Sequence, residues 1–357
     1  MNAFPAPARI LVVALRRLGD VLLTTPLIRS LKRAHPDAAI DVLVFYGTEG
    51  ILSGNPDIAN VMTMPERPGA GEAFALLRKL LRRYDLAIST QTGDRPTFYA
   101  WAAGRRSAGF VEGAGVASRL KRFALTQPVE VAADTHRVPE VLRLAEVLGV
   151  APVTELVAPR GAPSPGAASA RPYAVIHAAP MYRYKRWTDE GWRGLAGALA
   201  ARGLAVVATG GPGDKGELDA IWAARPEVKR LDGVLSWPEL AALIRGASVY
   251  VGPDTSVTHL AAATGVPMVA LYGPTDPRLW GPWPAGGLDT PWDAAGTIQA
   301  RGSVWLVQNP LPCLPCRQEG CLRRRDSHSQ CLDELSLPQV LKAVDAALAD
   351  PAGRRSA

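Results

Sequence analysis

The chain has 357 residues, of which 48% are hydrophobic and 20% are charged, and it carries a formal net charge of +7. This composition excludes extensive disorder, and the length suits two domains of about 150 residues each. The positive charge predicts an acidic partner such as a nucleotide, a phosphorylated lipid or a membrane surface. Because there is no recognised nucleic-acid-binding motif and the arginines are scattered, nucleic acid is not expected as a partner.

Residues 1–8 lack the charged and apolar regions of a signal peptide, and no run of about 18 apolar residues occurs in the chain. The sequence therefore predicts a cytoplasmic protein, with peripheral contact at a membrane surface as an additional expectation.

Short apolar runs alternate with amphipathic segments in the first 150 residues, which is typical of βα units around a parallel sheet. The predicted strands are 9–15, 40–45, 61–64 and 85–89. The predicted helices are 20–34, 72–83 and 139–148, the last of them ended by Gly149.

Residues 151–172 are rich in Pro, Gly, Ala and Ser and show no apolar period, which predicts an interdomain linker. The βα pattern then restarts. Its predicted strands are 173–177, 204–209, 247–251 and 266–271. Its predicted helices are 189–202, 213–224, 238–245, 255–264 and 337–348.

The repeated pattern predicts an α/β fold with two Rossmann-like domains, residues 1–150 and 173–335, followed by a C-terminal helix and tail, 336–357. The two parallel sheets are expected to face each other across a central cleft. Ligands are expected in that cleft, at the carboxyl ends of the strands.

The segment Arg17-Leu18-Gly19-Asp20 follows the first predicted strand and leads into a helix. Two interpretations of Asp20 are open. It is a favoured helix N-cap residue whose charge suits the helix dipole. Alternatively, it is a carboxylate aimed at a ligand and able to act as a general base.

Two further segments at strand ends carry groups suited to a phosphate. Residues 253–259 follow an apolar strand and begin a helix, whose first-turn amides and dipole favour an anion. Thr255 and His259 lie one helical turn apart and can face one ligand, although a lone His is more often structural. Lys185-Arg186 follows the strand that ends at His177, and two adjacent cations suit a diphosphate.

Residues 210–216 contain G-x-G-x-x-G, at Gly211, Gly213 and Gly216, between a strand and a helix. This is a formal match to the dinucleotide fingerprint, and by itself it is weak. Pro212 and the position in the second domain count against NAD. A nucleotide base and ribose packed on the same turn are compatible with it.

All four cysteines, Cys313, Cys316, Cys321 and Cys331, fall close together as C-x2-C-x4-C-x9-C. A C-x2-C pair can seat zinc, but the other spacings fit no common zinc motif. A structural zinc, an iron–sulfur site and a reduced thiol cluster are the alternatives. No D-x-D pair occurs, which favours neutralisation of a diphosphate by cations and helix dipoles rather than by a catalytic metal.

In chain order, these motifs resemble the signatures of the ADP-heptose:lipopolysaccharide heptosyltransferase family, glycosyltransferase family 9. The N-terminal signature is similar to Arg17-Leu18-Gly19-Asp20-Val21-Leu22-Leu23-Thr24-Thr25-Pro26. The donor-site signature is similar to residues 251–263, continues through 271–277 to Trp280, and is preceded by Lys185-Arg186-Trp187. The resemblance runs from about residue 9 to 348 and is strongest to the heptosyltransferase III type.

The resemblance implies a GT-B fold with an acceptor-binding N-terminal domain and a nucleotide-sugar-binding C-terminal domain. It implies inverting transfer of heptose from ADP-heptose onto the lipopolysaccharide inner core, with a lipid A–core oligosaccharide as acceptor and no required cofactor. It makes Asp20 the general base, puts Lys185 at the donor diphosphate and places Arg17 and Gly19 at the acceptor. The implied donor-binding residues are Arg186, Gly210, Gly211, Asp254, Thr255, Ser256, Val257 and His259.

Three other functions are compatible with parts of the sequence. The glycine-rich turn favours an NAD(P)-dependent oxidoreductase. A non-catalytic nucleotide-sugar-binding module is a second alternative, which the presence of Asp20 disfavours. The third is a transferase of the same fold with another nucleotide sugar as its donor.

Overall fold

The computed structural model describes residues 6–164 and 171–350. Contacts between Cα atoms divide the chain into two compact units, unit 1 (Met1–Val157) and unit 2 (Ala158–Ala357). The boundary lies inside the segment 151–172 for which the composition predicts a linker. Residues 165–170 of that segment, the tail 351–357 and residues 1–5 lie outside the described part.

Unit 1 alternates six strands with six α-helices. The strands are β1 (Arg9–Ala14), β2 (Ala39–Phe45), β3 (Asn60–Met64), β4 (Tyr84–Ser89), β5 (Gly104–Val111) and β6 (Gln127–Glu130). The helices are α1 (Leu18–Leu22), α2 (Thr25–Ala34), α3 (Ala70–Leu80), α4 (Asp94–Ala103), α5 (Val116–Ala124) and α6 (Arg137–Glu146). A short 3-10 helix, Glu49–Leu52, follows β2.

The six strands of unit 1 form one parallel sheet in the order β3-β2-β1-β4-β5-β6. Every residue of β1 except Arg9 is buried, because this strand lies in the middle of the sheet with helices on both faces. Helices α3, α4 and α5 contact one another in sequence, and α2 contacts α6. Right-handed crossovers place these two groups on opposite faces of the sheet.

The described residues of unit 2 form seven strands and seven α-helices. The strands are β7 (Tyr173–His177), β8 (Ala205–Gly210), β9 (Lys229–Asp232), β10 (Val249–Pro253), β11 (Met268–Leu271), β12 (Ile298–Arg301) and β13 (Val304–Val307). The helices are α7 (Asp189–Ala201), α8 (Lys215–Trp222), α9 (Trp237–Arg245), α10 (Ser256–Thr264), α11 (Pro277–Trp280), α12 (Gln330–Asp333) and α13 (Leu337–Ala349). A 3-10 helix, Arg183–Lys185, follows β7.

The sheet of unit 2 has the order β12-β13-β11-β10-β7-β8-β9. The prediction of a parallel sheet needs one correction, because the edge strand β12 pairs antiparallel with β13. A hairpin turn of two residues joins these strands, and such a short connection permits only antiparallel pairing. Helix α13 packs against β11, β13 and α7. Within residues 6–164 and 171–350, no helix has both the length and the apolar character that a membrane crossing requires.

Two buried tryptophans anchor the loop that follows β7. The rings of Trp187 and Trp192 meet edge to face with their centroids 5.1 Å apart, and both are almost fully buried. The indole N–H of Trp187 donates a hydrogen bond of 2.8 Å to the carbonyl of Leu335. A buried Trp whose N–H is satisfied holds its segment firmly. The cationic residues just before Trp187 are therefore attached to a rigid point of the core.

The predicted helix 20–34 is wrong in one respect, because it is two helices. Helix α1 ends at Leu22 and α2 begins at Thr25, with Pro26 in its first turn. Pro26 has no N–H to donate to the carbonyl of Leu22, four residues earlier. The hydroxyl of Thr25 donates to that carbonyl instead, at 2.8 Å. The sequence did not predict β5, β6, α4 and α5 of unit 1, or β9, β12, β13, α11 and α12 of unit 2.

We predict that two Gly→Ala substitutions in helices of unit 2 have opposite effects on its stability. A Cβ at Gly191 in α7 would lie 2.5 Å from the Trp187 ring, whereas one at Gly216 in α8 would meet no atom within 4 Å. Gly191→Ala should therefore destabilise by about 1–3 kcal/mol through overpacking. Gly216→Ala should stabilise by up to about 1 kcal/mol through helix propensity. Urea unfolding measures both changes, and equal effects would contradict the close packing at Trp187.

Candidate functional site

The strand order of each sheet reverses at one point, and a crevice opens there at the carboxyl ends of the strands. In unit 1 the reversal lies between β1 and β4, and in unit 2 it lies between β7 and β10. Asp20 follows β1, Lys185 lies in the connection after β7, and Asp254 directly follows β10. The structure thus gathers sequence-predicted site residues at the switch point of each unit.

An ion pair between a partly buried lysine and a buried aspartate connects the segments that follow β7 and β10 at the switch point of unit 2. The Nζ of Lys185 lies 2.6 Å from Oδ2 of Asp254, and the hydroxyl of Thr275 donates to the same oxygen at 2.6 Å. Burial opposes both charges. The Asp254 carboxylate nevertheless holds the pKa of Lys185 above its usual value, and the Lys185 ammonium holds the pKa of Asp254 below its own. Both groups are therefore charged at neutral pH.

Helix α10 begins beside this ion pair and presents its N-terminus to the same crevice. Thr255 is its N-cap residue, and its hydroxyl oxygen accepts a hydrogen bond of 3.4 Å from the amide of Thr258. The amides of Ser256 and Val257 belong to the first turn, where helix amides have no intrahelical carbonyl to bind. The buried His259 lowers the pKa of Asp254 through its charge, after the larger effect of Lys185.

The N-terminus of α10 is thus a place where a phosphate finds backbone N–H groups, a positive helix dipole and the Lys185 ammonium together. The sequence left open whether residues 254–259 cap a helix or bind an anion, and the structure is compatible with both. Thr255 caps the helix, and the same helix start lies next to a partly buried cation.

The glycine-rich turn after β8 is closed by its own carboxylate. The amide of Gly211 donates to Oδ2 of Asp214 at 2.7 Å, and the carbonyl of Gly210 accepts from the amide of Gly233 at 2.8 Å. A Cβ at Gly210 would lie 2.3 Å from a methyl group of Leu218. A pyrophosphate on this turn would have to displace Asp214 from the Gly211 amide. This geometry disfavours the dinucleotide interpretation of the turn.

The charge of Arg186 is paired with two carboxylates. Its guanidinium pairs with Asp189 at 2.6 Å and with Glu217 at 3.1 Å, which ties the starts of α7 and α8 together. Burial raises the pKa of Glu217, and the Arg186 charge opposes that rise. Of the two adjacent cations predicted for a diphosphate, Lys185 lies at the start of α10 and Arg186 is held by carboxylates.

His177 ends β7 and lies beneath this region. It is fully enclosed, and its Nδ1 lies 3.2 Å from the hydroxyl of Thr209 on the neighbouring strand. Burial lowers the pKa of His177 to about 4, although the Asp214 carboxylate acts in the opposite direction. The imidazole is therefore neutral at physiological pH and serves as a hydrogen-bonding core group.

In unit 1, Asp20 is not the helix N-cap, and that interpretation is wrong. Arg17 is the N-cap residue of α1 and uses no side-chain cap. Oδ1 of Asp20 lies 3.4 Å from Nη1 of Arg16 and 3.7 Å from Nε of Arg137. Of the two residues predicted to bind an acceptor, Arg17 is exposed and Gly19 is buried. Asp20 is thus a carboxylate held between two guanidinium groups.

Arg137 is a site residue that the sequence analysis missed. Its side chain is 9% exposed, and one of its terminal nitrogens donates 2.7 Å to the carbonyl of Thr90. Burial lowers the pKa of Arg137 to about 10, and the Asp20 carboxylate opposes that change. Arg16, Thr90 and Arg137 line a cavity of about 130 Å³ together with Gln91. Nothing local at 137 signals this contact, because Asp20 and Arg137 meet only through the tertiary fold.

The four cysteines differ in their surroundings. Cys331 is buried, Cys313 and Cys321 are exposed, and Cys316 is intermediate. Burial raises the pKa of the Cys331 thiol to about 12, and the three other thiols add to that rise. Among the residues that the structure describes, no three His, Cys, Asp or Glu side chains are arranged to hold a metal ion.

Two Rossmann-like units in succession, each with polar residues at its switch point, are the GT-B fold that solved heptosyltransferases also have. The protein is similar in structure to ADP-heptose lipopolysaccharide heptosyltransferase II of E. coli, with a TM-score of 0.74, 21% identity, and coverage of 95% of this chain and 98% of the other. The family model described as "Glycosyltransferase family 9 (heptosyltransferase)" matches residues 73–286, more than half of the chain. The chain belongs to this family of glycosyltransferases.

Relatives in sequence carry related names. The chain is 31% identical to lipopolysaccharide heptosyltransferase 3 of Escherichia coli over 285 residues, which cover 74% of this chain and 83% of the relative. It is 27% identical to lipopolysaccharide heptosyltransferase 1 of Pseudomonas aeruginosa over 347 residues, 93% of each chain. The resemblance given by the sequence motifs is thereby confirmed at the level of the family.

We predict that the stability of unit 2 falls as the pH is lowered from 6.5 to 4. His177 stays neutral in the folded protein over this range and becomes protonated in the unfolded chain, so the unfolded state binds more protons. The contribution reaches about 1.4 kcal/mol per pH unit and ends below pH 4, where both states are protonated. The midpoint of urea unfolding measured against pH tests this. His177→Asn should flatten the profile, while His328→Asn, at an exposed position, should not.

Proposed function

We propose that this protein transfers a heptose from ADP-heptose onto the inner core of lipopolysaccharide. The observation that carries the proposal is the Lys185–Asp254 ion pair of 2.6 Å at the N-terminus of α10, because it supplies a charged group and helix amides for a diphosphate. The names of the relatives supply the sugar and the acceptor class, since they are lipopolysaccharide heptosyltransferases.

In the proposed donor complex, the diphosphate binds at the amides of Ser256 and Val257 and at Lys185. Asp254 keeps the Lys185 ammonium charged and positioned, and with His259 it lies near the sugar and the phosphates. The adenosine packs near the turn at Gly210 and Gly211. Thr255 fixes the start of the helix. Arg186 belongs to the outer part of this site, since it is already paired with two carboxylates.

The proposed chemistry is an inverting, in-line displacement. Asp20 accepts the proton of an acceptor hydroxyl while that oxygen forms a bond to the anomeric carbon, and the bond from this carbon to the β-phosphate oxygen of ADP breaks. The leaving ADP carries the electron pair away, and Lys185 with the α10 N-terminus stabilises its added charge. Arg16 and Arg137 contact the Asp20 carboxylate and orient it, and Arg17 and Gly19 lie where the acceptor binds.

The acceptor proposed here is a lipid A–core oligosaccharide, an anionic molecule anchored in a membrane. The positive net charge of the chain favours such a partner. We therefore place the protein in the cytoplasm with peripheral contact at the inner membrane surface. No step of the reaction passes through a metal. A structural zinc at the four cysteines stays a prediction of the sequence, and elemental analysis of the purified protein measures it.

Calorimetric titration with ADP, UDP, GDP, NADH and ADP-heptose tests the donor. We expect ADP and ADP-heptose to bind and the other nucleotides to bind weakly. Preference for UDP or GDP would keep the transferase and change its donor. Tight binding of NADH alone would contradict the transferase proposal and favour an oxidoreductase.

We predict that Asp20→Asn lowers kcat by about 10²–10⁴-fold, because it removes the proposed base without changing the size of the side chain. ADP-heptose affinity, measured by calorimetry, should stay unchanged, because the proposed donor site belongs to unit 2. Asp37→Asn is the control, since Asp37 is an exposed carboxylate at the amino edge of the same sheet, before β2. An Asp20→Asn enzyme with near-normal turnover would remove Asp20 from the mechanism.

Lys185→Gln should lower kcat/KM for ADP-heptose by about 10²–10³-fold, the cost of one lost group that stabilises transition-state charge. It also leaves Asp254 buried without its cation, so a thermal unfolding scan must accompany the kinetics. Lys185→Arg should restore part of the activity. Lys215→Gln is the control, because Lys215 is an exposed lysine of the same unit that pairs with Asp219. Equal kinetics for the two Gln variants would refute the assignment of Lys185.

A further inference from the structure

Helix α5 of unit 1 exposes its apolar side. Its sequence is amphipathic, with Val116, Leu120 and Phe123 at i, i+4 and i+7, on one side of the helix. In a surface helix, such an apolar stripe normally faces the core. Here the three side chains are 74%, 64% and 92% exposed, and no residue of the helix is buried.

The polar side of α5 holds the helix onto unit 1. The hydroxyl of Ser118 donates to the carbonyl of Glu112, and Lys121 contacts the carbonyl of Thr92 and the carboxylate of Asp94. Arg122 binds the carboxylate of Glu130 through two nitrogens, at 2.7 and 2.9 Å. These hydrogen bonds fix which side faces outward. The apolar stripe is therefore presented to the surroundings by the fold and not by a loose helix.

The neighbouring helix α4 also exposes aromatic side chains, and two arginines lie beside the exposed apolar residues of the two helices. Helix α4, which contacts α5, exposes Phe98 and Trp101, with ring centroids 5.9 Å apart. The Arg82 guanidinium lies over the Trp101 ring at 5.7 Å. Arg119 is exposed next to the stripe on α5 itself. Exposed aromatic and aliphatic side chains among arginines are the pattern of a helix that lies in a membrane interface.

We propose that the outer surface of α5 docks unit 1 onto an anionic lipid bilayer, with Val116, Leu120 and Phe123 inserted among the acyl chains and Arg119 at the phosphates. The choice of a lipid partner rests on the proposed function, in which the acceptor is anchored in a membrane. Charge complementarity supports it, because the chain carries a net charge of +7.

Sedimentation with vesicles tests this surface without donor or acceptor. Vesicles of phosphatidylglycerol and phosphatidylethanolamine should bind the parent protein, and phosphatidylcholine vesicles should bind it more weakly. The double variant Leu120→Ser/Phe123→Ser should bind the anionic vesicles at least about tenfold more weakly, since two inserted side chains are lost. Val147→Ser, at an exposed apolar residue that ends α6 in the opposite helical layer, should bind like the parent.

Three outcomes would overturn the proposal. One is a parent protein that does not bind anionic vesicles, and another is a double variant that binds them as well as the parent. The third is a parent dimer in sedimentation velocity that the double variant abolishes, which would assign the stripe to a second copy of the chain. Arg119→Glu gives a second reading if the double variant unfolds on heating earlier than the parent. It should weaken binding to anionic vesicles only.

Transfer assays separate this proposal from the proposed function. With a deacylated, water-soluble acceptor, the parent and the double variant should turn over equally, because the stripe lies outside the proposed site. With the acceptor embedded in vesicles, only the double variant should slow down. If ADP-heptose is rejected as donor while the difference in vesicle binding persists, the proposed function fails and the docking surface stands.

Discussion

The parallel arrangement of the strands is the constraint on which the sites of this protein depend. Parallel strands need a crossover connection after each strand, and these crossovers are right-handed. The strand order can therefore reverse only where the chain crosses back to the middle of the sheet and continues on its other side. In unit 1 the reversal lies between β1 and β4, and in unit 2 it lies between β7 and β10. The connections that leave the two strands of each pair run in opposite directions. Polar residues that follow these strands therefore come together at one edge, whatever their distance in sequence.

Each switch point holds one charged side chain next to groups of opposite charge. This side chain is a lysine in unit 2 and an aspartate in unit 1. In unit 2, a partly buried lysine is kept charged by a single buried carboxylate and lies beside the positive end of a helix. In unit 1, a carboxylate lies between two arginines, one of which is almost fully buried. A buried ion pair costs desolvation and contributes little net stability. The charge that each crevice holds in place fits the ligand binding proposed for it.

The orientation of helix α5 on the surface of unit 1 also depends on contacts with neighbouring elements. The polar side of α5 faces unit 1 because Lys121 and Arg122 find carbonyl and carboxylate partners on neighbouring elements. An apolar partner for the outward side would offset the exposure of Phe123. If unit 1 binds both a lipid-anchored acceptor and the bilayer, the protein would meet its acceptor by diffusion along the membrane surface and not through the bulk solution.

The sequence by itself determined what depends on local pattern. Strand β7 has the predicted bounds, β1 and β2 differ from prediction by one residue, and α10 follows Asp254 as its motif indicates. Apolar runs, caps and turn glycines act over a few residues, so they are readable without the fold. The tertiary structure decided the rest. Asp20 meets Arg137, Lys185 meets Asp254, and α5 turns its apolar side outward, because contacts between distant segments override local periodicity.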